Sequence, residues 1–494
     1  MLQAETAKMP PMTTHSDTHA FPPHSPLPPR SLRLLFVLIA SLASTLAARA
    51  QDLGIKAPPQ AAPVIITGAT IHPISGPAID NGVIWFDSGV IQDVMTAPAF
   101  AELEKTVRWA KQPRRIDAKG KHIYPGMISP YSQLGLSEIQ AVAATIDTSE
   151  TGSITPEVRG VTAVNPDSTL IPVTRSNGVL LAAVFPTGGV ISGQPSVIRL
   201  DGWTTEDMAV LPGAGIIVRW PNVRPITNSR FFDMPEEEQN KNIKRNLQAI
   251  EDAFDTAKAY AQAKAAEPEA PTDLRWEAMR AVFPPQTSTD STGGDAAQTP
   301  TQRPLFIAAS DVDQITSSIA FAIERGLKPV IIGGRGAPFC ADLLIKHDIP
   351  VIILGTHIMP SREDAPYDDG YRLPAKLHEL GIRFAIANND DTAHERNLPY
   401  AAAMAAAHGL PVDDALRAIT LSAAEVLGID SQFGSLEANK NATLIVTTGN
   451  PLEVTTRIEH AFIDGREIDL SNKQTKLAEK YRERYRQSGD IKKK

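Results

Sequence analysis

Between residues 179 and 387 short apolar runs recur along the chain, and stretches of helical pattern separate several of them. No other feature constrains the fold as strongly. The runs 179–185, 215–218, 305–309, 329–332, 351–354 and 384–387 stay apolar from residue to residue, as strands buried on both faces do. Residues 315–325 and 339–347 carry helical spacing between them. Such alternation predicts a parallel sheet with helices outside it, open or closed into a barrel.

The two ends read differently. Residues 64–67, 71–74, 83–86 and 90–94 are short strand patterns, punctuated by Gly68, Ser75-Gly76-Pro77, Asn81-Gly82 and Asp87-Ser88-Gly89. Asn81-Gly82 is a two-residue hairpin signal. A β pattern returns after Leu427-Gly428, at Phe433-Gly434-Ser435-Leu436, at 443–447 and at 458–463, with Asp464-Gly465 as a second hairpin signal. Neither end holds enough strands for its own core. The two are expected to form one β unit, which needs only that the termini of the central domain lie close together.

Residues 235–265 predict a long helix. Glu236, Glu237 and Glu238 suit the positive end of its dipole, and Leu247, Ile250, Phe254, Ala257 and Tyr260 share one apolar face. Residues 284–303 read as a polar surface loop and 473–486 as a solvated helix. The resulting division is 1–50, a signal segment; 51–62, a polar linker; 63–120, the first part of the β unit; 121–432, the barrel; 433–470, its second part; and 471–494, a charged helical tail.

Arg30 and Arg33 precede the apolar run 34–40, small residues follow, and Ala48-Arg49-Ala50 is an A-x-A cleavage pattern. This predicts export to the periplasm or the exterior, with cleavage before Gln51 and no stable membrane span afterwards. The run is short beside the roughly 20 residues a span needs; a single anchor helix is the second reading. The Pro-, Ser- and Thr-rich segment before Arg30 makes a long n-region, and Met9 or Met12 is an alternative start. The net charge of −8 and the lack of a basic stripe argue against a nucleic-acid partner. Cys340, the only cysteine, excludes an intrachain disulfide and reads as a small buried hydrophobe.

Three stretches, taken together, resemble the amidohydrolase superfamily, nearest its imidazolonepropionase-like and dihydroorotase-like branches. They are Ile116-Asp117-Ala118-Lys119-Gly120 running to Pro125-Gly126-Met127-Ile128; residues 415–428; and Phe433-Gly434-Ser435-Leu436-Glu437 through Asn450-Pro451-Leu452 to Ile463-Asp464-Gly465. The resemblance covers most of residues 63–470. It implies an α/β fold, a (β/α)8 TIM-like barrel with a small composite β-sandwich formed by both chain ends. It also implies hydrolysis of carbon–nitrogen bonds other than peptide bonds, ordinarily with zinc or another divalent metal.

The sequence departs from that pattern. Tyr131 and Gln133 stand where the family places two metal-binding histidines, and neither is a good zinc ligand. The strand patterns 305–310 and 330–335 lack the histidines the family has after its fifth and sixth strands. Asn441-Ala442-Thr443 replaces the usual acidic residues. Asp390 matches the family's catalytic aspartate; it is either a general base or a structural residue held by backbone N–H groups. No metal and no cofactor is therefore expected. Other candidates at the barrel mouth are Asp311, Arg335, His357, Arg362, Asp391 and His394. The Gly-rich turns Pro186-Thr187-Gly188-Gly189 and Gly333-Gly334-Arg335-Gly336 either cradle an anion or simply permit tight turns. Two functions follow: an exported amidohydrolase-like hydrolase with an altered or lost metal site, or an inactive relative that binds a small molecule or a partner protein.

Overall fold

The computed structural model describes Asp52 and residues 54–227, 234–285, 301–360, 364–388 and 391–489. The expected signal segment, most of the expected 284–303 loop, Arg362 and Asp390 lie outside the described residues.

The two ends of the chain meet in one eight-stranded sheet. Its strands are β1 (Val64–Ile71), β2 (Ile79–Asp87), β3 (Val90–Thr96), β4 (Arg114–Asp117), β5 (His122–Pro125), β16 (Leu444–Thr447), β17 (Ile458–Ile463) and β18 (Arg466–Glu467). The join is the antiparallel pairing of β16 with β5, Leu444 opposite Pro125 and Thr447 opposite His122. The sheet curls strongly. Phe86 on β2 and Phe462 on β17 are separated by three strands in the hydrogen-bonded order, yet their rings meet edge to face at 5.1 Å. Ile66, Ile84, Ile123, Leu444 and Val446 fill the core within the curl.

Two expectations for this region are corrected. Residues 64–67 and 71–74 are not separate strands; β1 runs through Gly68 to Ile71. Asn81-Gly82 is not a hairpin turn but lies inside β2, with Asn81 at φ 47° where the register with β1 shifts. A Cβ on Gly82 would sit 2.7 Å from Ile71 Cδ1, so glycine is needed there for close approach and not for reversal. The chain reverses at Ser88-Gly89 and Asp464-Gly465, where both residues of each pair have positive φ, as a type I′ turn requires.

The central region contains β6 (Met127–Ser132), β7 (Val179–Val184), β8 (Ile191–Gly193), β9 (Ser196–Arg199), β10 (Ala209–Leu211), β11 (Ile216–Arg219), β12 (Leu305–Ala309), β13 (Pro329–Gly333), β14 (Val351–Leu354) and β15 (Phe384–Ala387). β11 to β15 form a parallel run in order, and β6 is parallel to β7. Between these groups the sequence reading missed a reversal. β8 is antiparallel to β11, and β9 is antiparallel to β7. Only Gln194 and Pro195 separate β8 from β9, so one reversed segment joins the six-stranded sheet to the four-stranded one. At the other seam β15 lies beside β6. Among the described residues no hydrogen-bonded ladder closes that seam. The long helix, Glu236–Ala266, buries Ile250, Ala253, Phe254 and Ala257, the face its spacing predicts.

Residues 54–62, expected as a free linker, are packed. Lys56 is 4% exposed and donates to the Pro166 carbonyl at 3.0 Å. The Ala57 amide donates to Asp201 Oδ2 at 3.3 Å. Asp201 is itself buried between two arginines, Arg175 at 2.8 Å and Arg466 at 3.0 Å. Arg175 also donates to the Asp469 carbonyl, and Arg466 to that of Ala57. One carboxylate thus ties residues 54–62, the central region and the C-terminal β segment together.

Removing one partner of a buried ion pair leaves uncompensated charge and costs about 3–5 kcal/mol. Asp201→Ala strands two guanidinium groups at once. Its denaturant unfolding midpoint is expected to fall by that order of free energy; a wild-type midpoint would show that the carboxylate is not a structural tie.

Candidate functional site

The end of β6 is where a TIM-like barrel would begin its site. Pro130 has no N–H to give to the ladder, and the pairing with β7 shifts between Ser129 and Ser132, three steps on β6 against two on β7. In a regular strand, residues three apart face opposite sides. The bulge turns Ser129 and Ser132 toward one group instead. Their hydroxyls reach the two oxygens of Glu395, Ser129 to Oε1 at 2.6 Å and Ser132 to Oε2 at 2.9 Å. Glu395 is 2% exposed and sits in the 3₁₀ turn Thr392–Asn397, just after β15. Thr392 adds a bond from its hydroxyl to the Ser137 carbonyl, and Asn177 one to the Arg396 carbonyl. Side chains therefore fasten the seam that backbone ladders leave open.

Within the bulge, Tyr131 is half-buried and packs on Phe185 at 4.7 Å, which meets Phe306 edge to face at 5.2 Å. Burial pushes the Tyr131 phenol above its usual pKa, and the Arg219 guanidinium opposes that shift. Gln133 is half-buried just beyond β6.

Two cavities open at the C-terminal ends of the parallel strands. One, of about 620 Å³, is lined by Arg219 at the end of β11, Trp220, Asn222, Ala309, Ser310 and Ile332 among others. Its neighbour, of about 1260 Å³, shares Asn222, Ser310, Gln314 and Leu354 with it and adds Asp311, Arg335 and Lys376.

The remaining candidates fall into place around this mouth. Asp311 and Arg335 share the larger cavity, but Asp311 also caps the helix Val312–Glu324 in a reciprocal box with Gln314. Asp391 caps the 3₁₀ turn, accepting from the Ala393 amide at 3.0 Å. His394 is exposed, and its backbone carbonyl accepts from Asn388. His357 is exposed, edge-on to Tyr371 at 6.2 Å. Among the described residues no three His, Cys, Asp or Glu side chains converge on a common point within metal-binding reach. The Gly333-Gly334 turn is not an anion cradle. Gly334 and Gly336 spend their N–H groups on the carbonyls of Ala309 and Ser310. Cys340 is buried, as its neighbours suggest, and burial raises its thiol pKa.

Sequence reasoning missed Glu395 and Arg219. A charge closing the apolar run Ile216-Ile217-Val218 was a usable signal for Arg219, since the C-terminal ends of barrel strands are where function collects.

With the geometry in hand, the likeness to known proteins is informative. The model of the amidohydrolase family matches residues 310–468. The chain is 23% identical over 385 residues to amidohydrolase tasK of Hapsidospora irregularis, covering 71% of this chain and 36% of that protein. It thus spans about a third of the length of that curated relative. A crystal structure of an amidohydrolase from Thermotoga maritima superimposes with a TM-score of 0.67 at 22% identity, over 82% of this chain and 99% of the other. The chain therefore has the mixed α/β fold of the amidohydrolases, with an amidohydrolase-family match in its C-terminal part. No helix of the described residues is long and apolar enough to cross a membrane.

Proposed function

We propose that this protein is an exported hydrolase of carbon–nitrogen bonds other than peptide bonds, built on a closed (β/α)8 barrel with a composite β-sandwich at the chain ends. Its metal site is altered or lost. The carrying observation is the family match over residues 310–468 together with cavities at the C-terminal strand ends. The reading further takes Tyr131 and Gln133 as replacements for the family's histidine pair and Asp390 as the general base.

The donors at the end of β6 do not fit a divalent metal. Tyr131 is held in its neutral phenol form by burial, and a phenol is a weak ligand. Gln133 is neutral. Ser129 and Ser132 are committed to Glu395. The positive charge of Arg219 favours the ionised phenol of Tyr131 but does not outweigh burial, and it opposes a second cation there. No step is therefore assigned to a metal. General-base catalysis by a carboxylate contributes roughly 10²- to 10⁴-fold, so turnover should be slow beside that of a metallohydrolase.

Elemental analysis of dialysed protein should find well under one equivalent of metal per chain, and any hydrolase activity should survive a chelator. Stoichiometric metal released by Asp390→Ala would refute the altered site. Chelator-resistant binding without any turnover would favour the inactive relative. The export reading has its own test: the mature chain recovered from the cell envelope should begin at Gln51. An intact N-terminus on a membrane-bound chain would show an anchor.

A further inference from the structure

Among the described residues, one charged side chain stands in the wall of the smaller cavity at the ends of β11 and β12, Arg219. Among the described residues nothing pairs with that guanidinium. Every other described lining group is apolar, a hydroxyl or a carboxamide. Asn222 is oriented: its Oδ1 accepts from Gln314 Nε2 at 3.1 Å, which leaves its amide N–H groups as donors. Gln314 is fixed in turn by the backbone of Trp220 and Ser310. The neighbouring cavity is different in kind. Arg224, Arg335 and Lys376 there face Asp311, Asp313, Asp364 and Asp369. Arg224 pairs with Asp313 and Lys376 with Asp369, each at 2.8 Å. Among the described residues, the excess of positive charge is therefore confined to the smaller cavity.

We infer that this cavity binds a small organic molecule through a carboxylate, with Arg219 as its counter-ion and Asn222 as a second donor. A guanidinium matches the two oxygens of a carboxylate in planar geometry. One cation balances one negative charge; a phosphate dianion would leave charge uncompensated beside Ile332 and Leu354. A volume of about 620 Å³ suits a small molecule, and the strand ends are where barrels hold ligands. The inference rests on reading this mouth as the substrate side of a hydrolase, and it adds what the substrate must carry.

Calorimetric titration of the full chain with N-acetylleucine, its neutral amide N-acetylleucinamide, and phenyl phosphate tests it. The acid should bind about tenfold or more tightly than the amide, the worth of a hydrogen bond to a charged group. The preference should weaken as salt is raised, disappear in Arg219→Gln and survive in part in Arg219→Lys. Arg219 is exposed and unpaired among the described residues, so both variants should unfold at the wild-type temperature. The inference is overturned if acid and amide bind alike, if neither binds, if Arg219→Gln keeps the preference, or if phenyl phosphate is favoured over the acid. Because the readout is binding, a failure to hydrolyse either amide bond would count against the hydrolase reading alone.

Discussion

A buried carboxylate shared by two serines holds the seam between β6 and β15 together. β6 and β15 lie side by side without a ladder between them in the described residues, so the backbone supplies no closure there. Glu395 supplies it, taking a hydroxyl from Ser129 and another from Ser132. The arrangement depends on Pro130, which interrupts pairing with β7 and lets two residues three apart reach one group. What stands at the mouth follows from that bulge. Tyr131 projects onto Phe185, and Arg219 acts on it from β11.

A second buried carboxylate does comparable work at the other end of the molecule. Asp201 lies between Arg175 and Arg466 and binds the backbone at Ala57. It joins three stretches far apart in sequence. The β16–β5 pairing brings the chain ends together through backbone bonds, and Asp201 fixes that joined unit to the central region through charge. Burying such groups has a desolvation cost that only full pairing offsets. Here each oxygen of Asp201 has a partner.

Much of this was legible in the sequence, because strands buried on both faces and amphipathic helices leave periodic signals. The parallel run β11 to β15 and the helix Glu236–Ala266 follow such signals. The reversed segment β8–β9 did not show. Its pieces are three and four residues long, and their direction is set by neighbours in space. Asp311 carries a second local signal beside its place in the cavity wall. With Gln314 three residues on it spells a capping box, and the structure builds one; the capping reading was available and was not taken. Glu395 could not have been found, since its serine partners lie 266 and 263 residues away. Lys56 looked like part of a polar linker because nothing local reveals that Pro166 accepts its proton.

The Glu395 tie is the contact on which the β6–β15 seam depends. Hydrogen exchange of wild type, Glu395→Gln and Glu395→Ala, followed peptide by peptide alongside denaturant unfolding, examines it directly. In Glu395→Ala, two buried hydroxyls lose their acceptor, and stability should fall by about 2–4 kcal/mol. Exchange should quicken in peptides covering 127–134 and 391–400 and stay unchanged in β1 and β2. Glu395→Gln, which can still bond both serines, should lie close to wild type. Wild-type stability and exchange in Glu395→Ala would mean that the carboxylate does not fasten the β6–β15 seam.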